Sequence, residues 1–329
     1  MIKIAVDLMG ADKNESLLLS GVIDAIKENK ELFVYILGTE EVLSPILKEE
    51  NVNPDQYEVI NCSDVVNNTD NPMEVFRTKA DSSMIKGISL CSKTEDIEAF
   101  VSCGSTGALM VSSMMILRPL CPTLTPVLLC ELLKKNGEYI CLSDCGANLD
   151  CPADKILSFA KMGSAYMKAK GVENPKVRLL SNGAEDSKGT TLIKETNKLL
   201  RESSLNFLGN IEGSTVLTTD ADVIATDGYS GNVLLKTLES GTTTVIKEIS
   251  DYAQTLEGEE KEKLEAFASS LTKKYDYNTQ GGAVLLGVKK PVIKGHGSAT
   301  GDTVLSIIRI AYTLAKNNIV DKIKEEFGI

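Results

Sequence analysis

Short apolar runs that break off at glycine or a polar turn recur along this chain, and stretches with helical spacing lie between many of them. The runs cover residues 2–8, 32–37, 99–103, 127–132, 139–142, 177–180, 205–208, 222–226, 283–288 and 292–294. Most are apolar without alternation, as strands covered on both faces are. Helical patterns are predicted over residues 16–29, 74–86, 153–170, 190–202 and 303–317. Strand and helix therefore alternate, which predicts an α/β fold of three layers, α/β/α, around a largely parallel sheet. In such sheets ligands sit at the carboxyl ends of strands, where turns lead into helix N-termini.

No internal repeat or low-complexity linker divides the chain, so residues 1–329 are read as one catalytic-domain-sized unit. One segment differs in character. Residues 245–277 are long, helical and charged, with Glu257-Gly-Glu-Glu-Lys-Glu-Lys-Leu264 in the middle. They are expected to form an inserted, protruding helical hairpin, a dimer or partner arm.

Lys and Arg number 35 against 46 Asp and Glu, a net charge of −11. That balance argues against nucleic acid or an anionic bilayer as partner. An anionic ligand must then be met locally, by backbone N–H groups at helix N-termini. No stretch approaches the ~20 apolar residues of a membrane span, and the opening residues read as a first strand rather than a leader. A reduced, cytoplasmic protein is expected. The eight cysteines lie mostly in apolar runs, as buried thiols do. Cys141, Cys145 and Cys151 are close in sequence, but with no CxxC and a single histidine no metal site is expected.

Several familiar motifs are missing. There is no GxGxxG, no GxxxxGK[ST], no GxSxG and no HExxH, so dehydrogenase, NTPase, serine hydrolase and zincin chemistry lose their usual support. What remains is a set of polar glycine turns after strands. Ser102-Cys-Gly-Ser-Thr-Gly107 leads into an apolar helix, where Ser105 or Thr106 either caps the helix or donates to an anion. Asp144, Asn148 and Asp150 crowd the turn before Pro152, where they cap a helix or orient a ligand. Asp227-Gly-Tyr-Ser-Gly-Asn232 opens a third helix, with Gly231 at its start and Asn232 and Lys236 one turn apart on one face. His296, the only histidine, stands between glycines in Lys294-Gly-His-Gly297. The turns after Asp7 and at Asn182-Gly-Ala-Glu-Asp-Ser-Lys-Gly189 complete the set. Six turns at strand ends predict one cleft.

Taken together these segments resemble the PlsX family of acyl-carrier-protein:phosphate acyltransferases. The resemblance runs through nearly the whole chain. It rests on Ile4-Ala-Val-Asp-Leu-Met-Gly10, Arg77-Thr-Lys-Ala-Asp-Ser-Ser-Met84, Val101-Ser-Cys-Gly-Ser-Thr-Gly-Ala-Leu-Met110, Asp144-Cys-Gly-Ala-Asn-Leu-Asp-Cys151, Asn206-Phe-Leu-Gly-Asn-Ile-Glu212, Thr226-Asp-Gly-Tyr-Ser-Gly-Asn-Val233 and Tyr275-Asp-Tyr-Asn-Thr-Gln-Gly-Gly282. It implies an isocitrate/isopropylmalate dehydrogenase-like fold, a homodimer, no cofactor, and transfer of a fatty acyl group from an acyl carrier protein to inorganic phosphate for phospholipid synthesis. Because phosphate is itself the nucleophile and a thiolate the leaving group, such a reaction needs positioning and oxyanion stabilisation rather than a triad. On this resemblance Gly104, Ser105, Thr106 and Gly107 are expected to bind phosphate. Asn232, Lys236 and His296 are the candidate catalytic residues, the first two for charge on phosphate or oxyanion and His296 to orient phosphate or protonate the departing sulfur. Asp7, Asp144, Asn148, Asp150, Lys188, Asp227 and Gly231 are the remaining candidate substrate-binding residues.

The chain also departs from the family. Met9-Gly-Ala-Asp-Lys-Asn14 replaces a Met-Gly-Gly-Asp opening, the segment after Met115 is short, and Ser181-Asn-Gly-Ala-Glu185 replaces an Asn-Ile-Gly run. The arm is acidic where relatives carry an apolar tip, which argues against membrane association. Docking of an acidic carrier protein would require a local basic patch, for which Lys134, Lys135, Lys155, Lys161 and Lys168 are candidates. Two other readings remain at this level: a PlsX-like paralogue handling a short acyl group on CoA or a protein cysteine, and a non-catalytic scaffold binding acyl groups or phosphate. Cys103, beside the phosphate turn, would be the cysteine to carry an acyl group, against its plainer reading as a buried thiol.

Overall fold

The computed structural model describes residues 1–275 and 282–329. Its first half holds β1 (Ile2–Asp7), α1 (Glu15–Glu28), β2 (Leu32–Gly38), α2 (Glu40–Glu49), β3 (Tyr57–Asn61), α3 (Val75–Thr78), α4 (Ser83–Lys93), β4 (Ile97–Ser102) and α5 (Thr106–Ile116). The antiparallel pair β5 (Val127–Leu133) and β6 (Tyr139–Ser143) follows. Then come α6 (Ala153–Ala169), β7 (Lys176–Ser181), α7 (Thr191–Glu202), β8 (Asn206–Glu212) and β9 (Val223–Ala225). Two long helices, α8 (Gly228–Ala253) and α9 (Gly258–Tyr275), precede β10 (Ala283–Leu286), β11 (Val292–Lys294), α10 (Gly301–Lys316) and α11 (Ile319–Phe327).

All eleven strands join one sheet in the order β3-β2-β1-β4-β11-β10-β5-β6-β9-β7-β8. The sheet consists of two parallel halves. β1 to β4 and β11 run one way, and β6 to β9 the other. The reversal is made at a seam, where β10 lies antiparallel to both β11 and β5, and β5 is antiparallel to β6. Pairing across this seam puts Val101, Ile293, Val284, Leu129, Ser143 and Ala225 in one row. β1, β4 and β11 of one half and β6 and β9 of the other therefore reach their carboxyl ends within a residue of the same line, mid-sheet. That alignment brings glycine turns from opposite halves together.

Each face of the sheet has its own apolar core. Ile4, Val6, Val101, Leu129, Cys141 and Val223 pack under α1, α6, α7 and α10 on one side. α1 crosses α10 so closely that a Cβ on Gly21 would lie 2.0 Å from the Gly301 carbonyl oxygen. On the other face Phe100, Leu128, Ile140, Leu142 and Ile224 pack against α4, α5 and Leu235 of α8.

Most expected elements are present with ends shifted by a residue or two. The helix expected over 74–86 is instead two, α3 and α4, because the chain turns at Lys79 and restarts where Ser82 caps Ile85 N–H at 3.4 Å. β3 and α2 were not predicted. The hairpin expected over 245–277 is entered by a helix that already starts at Gly228, and α8 packs along α9; its last two residues lie outside the described residues. No helix among the described residues is long and apolar enough to cross a membrane.

Candidate active site

The turn after β4 is tied to β1 by one side chain. Ser102 Oγ donates to Asp7 Oδ2 at 2.7 Å and accepts from Gly104 N–H at 3.1 Å, while Met9 N–H donates to Asp7 Oδ1 at 2.9 Å. Asp7 is buried beneath this turn. Burial pushes its carboxyl up to about 6, against the Ser83 and Ser102 hydroxyls that favour the ionised form. Asp7 thus shapes the turn from below and does not line the cavity. Ser105, expected to cap α5, makes no capping hydrogen bond with its side chain. The first N–H groups of α5 are left without a side-chain acceptor from Ser105 at the positive end of the helix dipole, an arrangement suited to an anion.

The turn after β6 is built differently. Asp144, fully buried, accepts hydrogen bonds from Leu128 N–H (3.3 Å), Gly146 N–H (3.0 Å), Ala147 N–H (3.0 Å), Asn148 N–H (2.7 Å) and Asn148 Nδ2 (2.8 Å). Both oxygens are occupied by the turn, so Asp144 is a positioning residue. Asn148 completes the frame by donating to Pro126 O at 3.0 Å. Upon this turn sits the start of α8, where a Cβ on Gly231 would stand 1.8 Å from Asp144 O and one on Gly228 2.7 Å from Asn148 O. Only glycine permits that approach. Asp227 caps the helix, accepting from Ser230 N–H and Ser230 Oγ, both at 2.8 Å. Asn232 falls in the second turn of α8, and its side chain lies over Gly146.

Between α5 and α8 these turns leave a cavity of about 280 Å³. Leu128, Cys130, Cys145, Leu235 and Ala283 give it an apolar floor, and Thr106, Asn232, Lys236, Glu239, Lys294 and His296 a polar rim. The three candidate catalytic residues therefore do meet at one cavity, together with Thr106. Lys236 is more than half exposed and bonded to Glu239 at 2.7 Å. His296 is exposed, with its Nδ1 2.8 Å from Ser298 Oγ and 3.3 Å from the Ser298 N–H that donates to it. Lys294, which sequence reasoning passed over, is buried at the end of β11, and burial holds its ammonium below the usual lysine range. A lysine closing a strand reads as the chain's exit to solvent. The signal that could have found it was its place beside the glycine-flanked histidine.

Of the two readings of Cys103, the plainer one holds. Cys103 is buried, with its thiol pushed up to about 12 by desolvation, and its Sγ lies under Gly295. The thiols that reach the cavity are Cys130 and Cys145, whose sulfurs stand 3.0 Å apart.

The turns do not form one cleft. Asp150 and Asp227 line a second, of about 570 Å³, with Asn182, Gly189 and Tyr229. Lys188 is exposed on the 182–189 turn, packed over Gly183. The first turn of α8 contributes to this second cleft and its later turns to the first, so the helix divides them. Four of the five candidate docking lysines are engaged elsewhere. Lys134 is buried against Glu138 (3.0 Å), Lys168 bonds Glu326, Lys161 lies 5.3 Å from the Phe327 ring centre and Lys155 donates to Thr123 O at 3.2 Å.

A family model described as fatty acid synthesis protein matches residues 2–322. Phosphate acyltransferases of Staphylococcus aureus strains MSSA476 and Newman are each 36% identical over 335 residues, covering 100% of this chain and 99% of the relative. Among solved structures, the EutD phosphotransacetylase from Staphylococcus aureus aligns with a TM-score of 0.62 at 16% identity, covering 96% of this chain and 94% of that one. A branched-chain phosphotransacylase from Enterococcus faecalis V583 gives 0.62 at 17% identity over 96% and 99% of the two chains. A 4-hydroxythreonine-4-phosphate dehydrogenase from Klebsiella pneumoniae gives 0.55 at 12% over 96% and 100%. These structures share the fold, which is the isocitrate dehydrogenase-like α/β type. The sequence match, at full length on both sides, carries the assignment further: the chain belongs to the fatty acid synthesis protein family, that of the phosphate acyltransferases.

Proposed function

We propose that this phosphate acyltransferase takes a fatty acyl group from an acyl-carrier-protein thioester and passes it directly to inorganic phosphate, making acyl phosphate for phospholipid synthesis. The observation that carries this reading is the meeting of two turns from opposite halves of the sheet over one apolar-floored cavity. One wall offers uncapped helix N–H groups to phosphate, and the other offers Asn232 to the carbonyl oxygen. A phosphate oxygen forms a bond to the thioester carbon, charge collects on the carbonyl oxygen near Asn232, and the carbon–sulfur bond breaks. The proton of HPO₄²⁻ ends on the departing sulfur, and His296 on the rim is the group suited to orient the phosphate that carries it. No side-chain nucleophile enters the sequence.

The chain acts in this reading as one catalytic domain in a cytoplasmic homodimer. Val245, Tyr252 and Phe267, apolar and exposed on the α8–α9 arm, support its use as the dimer or partner contact.

The test is purified protein, phosphate and a panel of long- and short-chain acyl-carrier-protein and CoA thioesters, followed by thiol release and by hydroxylamine trapping of acyl phosphate. Phosphate-dependent turnover of long-chain carrier-protein thioesters is expected. Turnover confined to short-chain CoA donors would make the chain a short-acyl phosphotransacylase, and none with any donor would leave a binding scaffold.

A further inference from the structure

We propose that Lys294 is the residue that recognises the charge of phosphate: the fold buries this ammonium at the mouth of the α5 turn without a carboxylate partner among the described residues, and the anionic substrate is its counterion. The inference rests on the reading of this cavity as the phosphate site. Two lysines are buried among the described residues, Lys134 and Lys294. Lys134 has a carboxylate partner, Glu138, at 3.0 Å. Lys294 has none within 4.0 Å among the described residues; its Nζ donates only to the main-chain carbonyls of Cys103, at 3.4 Å, and Gly295. The carboxyls that act on it, Asp12 and Asp7, do so from a distance. Asp7 is already engaged by Ser102 and Met9.

A buried charge without a partner is costly, and proteins rarely keep one that has no use. The position of this one supplies the use. The carbonyl of Cys103 that it touches opens the turn, and the next residues of that turn lead into the free N–H groups of α5. An anion held there would lie beside Lys294. Lys236, the lysine first expected to meet phosphate, is exposed and neutralised by Glu239. Of the two, only Lys294 offers from the cavity wall a charge that no carboxylate among the described residues pairs.

The experiment compares wild type with Lys294→Met and Lys294→Arg by three measurements: thermal unfolding, equilibrium binding of inorganic phosphate by calorimetry, and the separate KM values for phosphate and acyl donor. Met fills nearly the same volume without charge. Lys294→Met should therefore unfold at the same or a higher temperature, while its phosphate affinity falls at least tenfold, its phosphate KM rises by a similar factor, and its donor KM stays within twofold. Lys294→Arg should recover part of the phosphate affinity. An unchanged phosphate affinity in folded Lys294→Met would overturn the proposal, as would a variant that loses stability and both substrates together. Should wild type bind phosphate yet release no thiol from any donor, the proposed reaction fails while Lys294 keeps its role. Wild type that turns over donor but yields a Met variant with ordinary phosphate KM sinks only the role of Lys294.

Discussion

The turn after β4 and the turn after β6 face each other across one cavity, each laid over a buried aspartate, yet the two aspartates are held in opposite ways. Asp144 is surrounded by donors, four of them main-chain N–H groups. Asp7 reaches its turn through a single hydroxyl, Ser102, and burial rather than hydrogen bonding dominates its carboxyl. The contrast teaches that a buried carboxylate is structural when the backbone saturates it and electrostatically active when it is left underbonded. On this view the β6 side is a rigid frame for α8 and Asn232. The β4 side is the charged one, where Asp7, Lys294 and the start of α5 set the local field.

The sharpest way to break the contrast is to remove the saturated carboxylate. Asp144→Ala strands four main-chain donors in the interior, so the unfolding free energy at pH 7 should drop by about 3–5 kcal/mol in urea titrations. A loss under about 1 kcal/mol would show that the turn holds itself and that the two aspartates are alike.

Next in size is Asp7, where the sign depends on pH. Its folded value lies near 6, above the ordinary 3.8, so its contribution to stability is fully present below about pH 4 and lost as pH rises through 6. The loss amounts to about 3 kcal/mol by neutral pH. Asp7→Asn removes that dependence, and its stability relative to wild type should improve steadily from pH 4 to 7. Parallel stability curves for the two proteins would mean that Asp7 is as well satisfied as Asp144.

The smallest effect is expected at Gly104. A methyl group there meets the flexible end of Met84 at 2.7 Å, so Gly104→Ala should change stability by only about 1 kcal/mol. A much larger loss in calorimetry would make the β4 turn as tightly framed as the β6 turn.

Much of this architecture was legible in the sequence. Unbroken apolar runs with helical stretches between them predict a doubly covered parallel sheet, and ten of its strands follow from that pattern alone. β3 escaped because it is an edge strand, Tyr57-Glu-Val-Ile-Asn61, in which polar residues interrupt the apolar ones. Residues 74–86 read as one helix because periodicity does not register the break that Ser82 makes by capping α4. The site was legible as a set of turns but not as a geometry. Nothing in spacing along the chain says that α8 would stand between two clefts and send Asp150 and Asp227 to the one while Asn232 and Lys236 line the other. Nor does sequence distinguish a lysine that leaves a strand for solvent from Lys294, which stays inside. That distinction is made by the seam, which lays β10 against β11 and closes the sheet beside it.

The seam also orders events in time. β4 and β5 are neighbours in the chain but not in the sheet, and the two strands that fill the gap between them are the last two made. As the chain leaves the ribosome, β4 and β5 wait with open edges while the remaining strands and both long helices are synthesised. Unpaired edges of that kind are the places where nascent chains pair wrongly or recruit chaperones. The same strands that end this exposure bring in Lys294 and His296, so the finished sheet and the finished site arrive in one late, long-range step, the sort of closure that makes folding slow.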